Sequence, residues 1–207
     1  MKITFSRNIR VSKNYLWHQS DDEFEDLRTK SRRSNSYSAK VDVYEDRVRT
    51  WFLDWALSLV HTDLIDDGVS AGDYVALSVA LAYIEGVERY RRGGEPKGKG
   101  EAGDWFRASA SRILRTASDD AIKMLYKSAR CGLFHSGFTN DRVYLSHENY
   151  SEALEITLDG ELHMNPARFV QVVLEDFEAY INELRANPSG EAARQFKGLW
   201  DKRWERS

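Results

Sequence analysis

The stretch LYKSARCGLFHSGFTND, Leu125 to Asp141, reads as the last turns of an amphipathic helix that stops on Gly137. It carries Arg130, Cys131 and His135 within six residues. Cationic side chains in a last helical turn interact favourably with the negative end of the helix dipole, so Arg130 and His135 fit ordinary helix-end chemistry. They also fit the working pair of an enzyme. At about 100° per residue, positions five apart lie about 140° apart around a straight helix. Convergence on one spot would therefore need the long reach of arginine, a distortion at Gly132, or a second copy of the chain.

Outward from this stretch the pattern is mostly helical. Ser118 is a good N-cap, and Asp119 and Asp120 sit where the dipole favours negative charge, so a helix is predicted from Ser118 to Gly137. Before it, DWFRASASRILRTAS (104–118) predicts a helix with Trp105, Phe106, Ile113 and Leu114 as its apolar positions. The glycines and lysines of RRGGEPKGKGEAGD (91–104) predict a surface loop. The Ala- and Leu-rich run Tyr74 to Arg92 predicts a central helix, and Val43 to His61 another, whose apolar face is Val48, Trp51, Phe52, Trp55 and Leu59. Further back, KITFSRNIRV (2–11) predicts an extended piece and Asp21 to Arg32 a short helix.

Beyond Gly137, RVYLS (142–146) and ALEITLDGEL (153–162) alternate, and Asp159-Gly160 is a tight-turn dipeptide, which predicts a small β-hairpin or a three-stranded appendage. Asn165 as cap and Pro166 at the first helical position open a helix that closes before Pro188. Phe196, Leu199, Trp200 and Trp204 recur at helical spacing and predict a short docked helix over residues 189–207. The expected fold is mainly α: an up-and-down bundle of four to five helices with a small hairpin inserted after the Arg130–His135 helix. The expected organisation is one domain over 1–207, with a helical core at 39–187 and an N-terminal extension over 1–38.

With 42% hydrophobic residues and six Trp, ten Tyr and nine Phe, the chain has the apolar surface a folded globule needs. Its net charge of -3 means that nucleic acid would have to be held by a local basic patch, not by bulk attraction. A single cysteine excludes an internal disulfide and a multi-thiolate zinc site. No apolar run is long enough for a membrane span, and residues 1–17 lack a signal-peptide core, so the expectation is a cytoplasmic protein with no membrane partner. P-loop, dinucleotide-binding, nucleophile-elbow and zincin motifs do not occur, and no two of the five histidines show the four-residue spacing of a helical metal site. Neither metal nor cofactor is expected.

The segment from Leu125 to Gly137 resembles the signature of the HEPN superfamily, helical-bundle proteins in which an Arg is followed four to six residues later by a His near the end of a core helix. Arg130-Cys-Gly-Leu-Phe-His135 has four intervening residues. Ile84-Glu85-Gly86, Trp105-Phe106 and Asn165-Pro166 to Phe169 are similar to features in branches of the superfamily, and the resemblance spans residues 39–187. It implies a metal-independent endoribonuclease, a toxin or defence effector, acting on RNA as a homodimer with an antitoxin or defence-system protein as further partner. Arg130 and His135 would be catalytic, Glu85 and Cys131 supporting, and Lys127, Arg112, Arg115 and Arg89, with Arg91 and Arg92, would contact RNA. Cys131 stands where many active members have a polar residue, usually Asn. Gly137 stands where the branch paired with nucleotidyltransferase antitoxins has a tyrosine. The alternative is an inactive HEPN-like module that binds nucleotide or RNA or serves as a scaffold.

Overall fold

The structure is a computed structural model that describes residues 8–61, 64–65, 68–98, 100–137, 139 and 142–204. It opens with an antiparallel sheet of four strands in sequence order: β1 (Asn8–Arg10), β2 (Tyr15–His18), β3 (Glu23–Asp26) and β4 (Ser31–Ser34). Trp17 and Phe24 are cross-strand partners and both are buried. The helix expected over residues 21–32 is thus two strands. Phe24 and Leu27 are the two large apolar side chains of this stretch, too few for the stripe a helix needs, whereas Phe24 alone suffices for one face of a short strand. Of the extended piece expected over residues 2–11, the part before Asn8 lies outside the described residues.

Helices α1 (Tyr37–Val48) and α2 (Asp54–Leu59) are joined by a π-helical turn, Arg49–Leu53, in which the Asp54 amide donates to the Arg49 carbonyl. A π turn holds one residue more than an α turn and rotates everything after it by about 100°. The buried series runs Val41, Tyr44, half-buried Val48, then steps by five to Leu53 and on to Ala56 and Val60. Trp51, Phe52 and Trp55, expected on the buried face, are instead 36%, 45% and 63% exposed. Leu53→Ala is accordingly expected to cost about 2–5 kcal/mol in denaturant unfolding, and Trp55→Ala no more than about 0.5 kcal/mol. The reverse order would mean that the unbroken stripe, not the shifted one, faces the core.

The two-residue strands β5 (Leu64–Ile65) and β6 (Val69–Ser70) pair and lead into α3 (Asp73–Arg92), the central helix, which packs against α2, α4, α7 and α8. Helix α4 is Glu101–Ile113. It starts three residues before the expected position because Glu101 accepts the Lys97 and Gly98 amides and so ends the loop early. Helix α5 (Asp119–Met124) begins at Ser118, whose hydroxyl accepts the Ala121 amide. A second π turn, Leu125–Arg130, follows, then α6 (Cys131–Ser136), closed by Gly137 at φ 73°, a conformation that favours glycine.

The three-stranded sheet has the order β7 (Val143–Leu145), β9 (Leu162–Met164), β8 (Leu154–Ile156), with β7 and β9 parallel and Gly160 at φ 75° in the β8–β9 turn. Helix α7 (Pro166–Ala186) is capped by Asn165, and α8 (Glu191–Trp204) closes the described chain. Asp73, fully buried at the start of α3, accepts from the Ser70 amide and lies 2.9 Å from His147 Nε2, which ties the three-stranded sheet to the central helix.

The expectation of a mainly α up-and-down bundle with one inserted hairpin is therefore corrected. The protein is a mixed α and β fold, in which a four-stranded and a three-stranded sheet flank helices packed around α3. The first sheet is not peripheral in packing, since Tyr15, Trp17 and Phe24 join the same hydrophobic core as Tyr44, Phe177 and Phe196. No helix among the described residues is long and apolar enough to cross a membrane.

Candidate functional site

Arg130 is the last residue of the second π turn, and its guanidinium points at α3. Its Nε and Nη2 donate to one oxygen of Glu85, at 3.2 and 2.6 Å. The other Glu85 oxygen accepts from Arg89 at 2.9 Å, Arg89 pairs with Glu95 at 2.9 Å, and Glu95 with Arg203 at 2.6 Å. The result is an alternating chain of charge from the Arg130 turn across α3 to α8. Partial burial works against the charge on Arg130, but the hydrogen bonds and charge of Glu85, with a smaller contribution from Cys131, outweigh it and hold the guanidinium above the ordinary arginine value. Arg130 is thus cationic at every accessible pH. The guanidinium also lies 5.1 Å from the centre of the Phe134 ring and 5.8 Å from that of Tyr126, which limits its rotation.

His135 occupies the last turn of α6 and is exposed, with no hydrogen bond or ion pair among the described residues. Its neighbour Phe134 is 49% exposed. Residues 131–136 are α-helical, so Arg130 and His135 diverge by about 140° around α6. The arginine leans onto α3 while the imidazole is free to meet something outside the chain. Cys131 is half-buried and reduced.

The structure sorts the basic candidates by availability. Arg89 belongs to the charge chain, Arg91 pairs with Glu183 at 3.0 Å, and Arg92 pairs with Glu88 at 2.6 Å while covering Trp105. Arg112 is bonded to Asp176 and to Ser109. Lys127 and Arg115 are exposed, and neither has an ion pair among the described residues. Lys127 lies in the same turn as Arg130, whereas Arg115 follows the far end of α4. Sequence reasoning missed Glu95 and Arg203 as members of the charge chain. The four-residue spacing of Glu85 and Arg89 was visible in the sequence and the resemblance had placed Glu85 beside Arg130, but Arg89 meets Glu95 across the end of α3 and Glu95 meets Arg203 from far along the chain, which helical spacing does not show. No group of three or more His, Cys, Asp or Glu side chains that could hold a metal occurs among the described residues.

Comparison of the chain with protein-family models, with curated proteins and with solved structures finds no match.

Proposed function

We propose that the protein is a metal-independent endoribonuclease of HEPN type, in which Arg130 and His135 act at the meeting of two copies of the chain. The observation that carries this reading is a guanidinium held in place by Glu85 one turn before an exposed, uncommitted imidazole. A planar, permanently charged fork can hold a phosphate and stabilise the charge that grows on it during displacement. An imidazole can accept or return a proton near neutral pH. In the reaction the RNA 2′-oxygen attacks the adjacent phosphorus and the P–O5′ bond breaks. The His135 imidazole takes the 2′-hydroxyl proton and then gives it to the leaving 5′-oxygen. Because Arg130 and His135 diverge in one copy, the site is completed across a two-fold axis that brings two α6 ends together.

A second reading is favoured by Glu85 itself, whose carboxylate already neutralises Arg130: the pair would be a strut inside a binding or scaffold module. The two separate in one experiment. The purified chain is incubated with RNA in excess chelator and the new ends are analysed, and its expression is tested for growth arrest. The ribonuclease reading requires 2′,3′-cyclic phosphate ends that vanish in Arg130→Ala and in His135→Ala. Equal cleavage by all three proteins, or none by the wild type as a verified dimer, overturns it.

A further inference from the structure

A cleft of about 390 Å³ opens between the end of α4, the segment before β8, and the first two-thirds of α7. It lies at the opposite end of α4 from Gly103, which faces Tyr126 of the Arg130 turn, and two of the basic residues the family resemblance assigned to RNA contact, Arg112 and Arg115, line it instead of the Arg130–His135 site. Its volume falls in the range of about 300–1,000 Å³ typical of small-ligand sites. Its lining is mixed: Ile113, Val172 and Ala179 give it apolar patches, and polar or charged side chains make up the rest.

The charged groups of this cleft divide into two sets. Asp176 accepts from Arg112 and from the Tyr83 hydroxyl, Glu152 from Thr116, and Glu175 from Gln171. Arg115 and Arg168 are different: neither guanidinium has a hydrogen bond or ion pair among the described residues, and both border the cleft. Arg168 is also placed against local electrostatics. It is the third residue of α7, a 21-residue helix with no acidic residue in its first turn, where the helix dipole disfavours a cation. Two uncommitted forks facing one cleft, one of them where the helix alone would not favour it, call for an anion from outside.

We propose that this cleft binds a small phosphorylated ligand bearing hydroxyl groups, of the nucleoside monophosphate class. Arg115 and Arg168 clamp the phosphate, since a guanidinium presents paired donors that match phosphate oxygens. The Ser151 hydroxyl, at the cleft wall, is a further donor. Glu152 and Glu175 accept from the ligand's hydroxyls, and the apolar patches of Ile113, Val172 and Ala179 receive its ring. The inference does not rest on the ribonuclease reading, because neither Arg130 nor His135 takes part.

The test is a titration of the full chain with adenosine monophosphate, adenosine and inorganic phosphate, followed by calorimetry and by amide shifts in NMR. The monophosphate is expected to bind, with shifts at Thr116, Ala153 and Ala179, and adenosine to bind at least about tenfold more weakly for want of the charge-assisted hydrogen bonds. Arg115→Gln and Arg168→Gln should each weaken binding at least about tenfold while leaving the thermal midpoint unchanged, since both side chains are exposed and unpaired. Three results overturn the proposal: no monophosphate binding at millimolar concentration, equal binding of adenosine, or binding untouched by the double substitution.

Discussion

Phe196→Ala is expected to destabilise the protein by about 3–5 kcal/mol, the range for truncating a fully buried aromatic. Phe196 is completely buried and meets four rings: Tyr37 at 6.2 Å, Tyr44 at 5.3 Å, Tyr90 at 5.6 Å and Trp200 at 5.7 Å. Those rings belong to α1, α3 and α8, and Tyr44 continues the cluster to Phe177 of α7. The hole left by alanine would be walled by side chains on several helices that other contacts hold apart, so it cannot easily collapse. Denaturant unfolding followed by tryptophan fluorescence measures the cost, and Phe196→Leu, which keeps most of the volume, should lose distinctly less. A loss below about 1 kcal/mol for alanine would be typical of a loosely packed site and would contradict the placement of α8 in the core.

The second large effect concerns the proposed ribonuclease activity. Arg130→Ala and His135→Ala are each expected to reduce RNA cleavage by about 100-fold or more, the usual scale for losing a charge-stabilising or proton-transferring group. Arg130→Lys should lose most of it too, because an ammonium keeps the charge but not the planar fork that Glu85 orients. Glu85→Gln should be milder, since an amide oxygen still accepts a hydrogen bond from Arg130 while the neutralising charge is gone. The divergence of the two side chains adds a sharper expectation. Mixed dimers of Arg130→Ala and His135→Ala subunits should recover part of the activity, because one of their two shared sites would have both groups intact. Absence of recovery would mean that Arg130 and His135 work within one copy.

Much of the helical framework was legible because it depends on neighbours in sequence. Ser118, Gly137, Asn165 and Pro166 each end or begin a helix through local backbone hydrogen bonds or a fixed dihedral angle, and each does so where its position predicts. The β8–β9 turn at Asp159-Gly160 belongs to the same class. The strands at residues 23–34 were not legible as such. Their charges suit a helix surface, and what makes them strands is the burial of Phe24 beside Trp17 against a core supplied by the rest of the chain. The parallel pairing of β7 with β9 was equally hidden, since no local pattern distinguishes it from a simple hairpin.

At the candidate site the division is similar. The sequence by itself determined a helix carrying Arg130 and His135 near a glycine stop, and their angular divergence, because helical periodicity is a property of the backbone alone. Only the tertiary structure decided that Arg130 is bound to Glu85 and linked through Arg89 and Glu95 to Arg203, while His135 is left exposed. It also decided that Trp51, Phe52 and Trp55 face solvent. A single extra residue in the Arg49–Leu53 turn rotates the stripe out of register, and whether a helix takes up such a turn depends on what packs against it on either side.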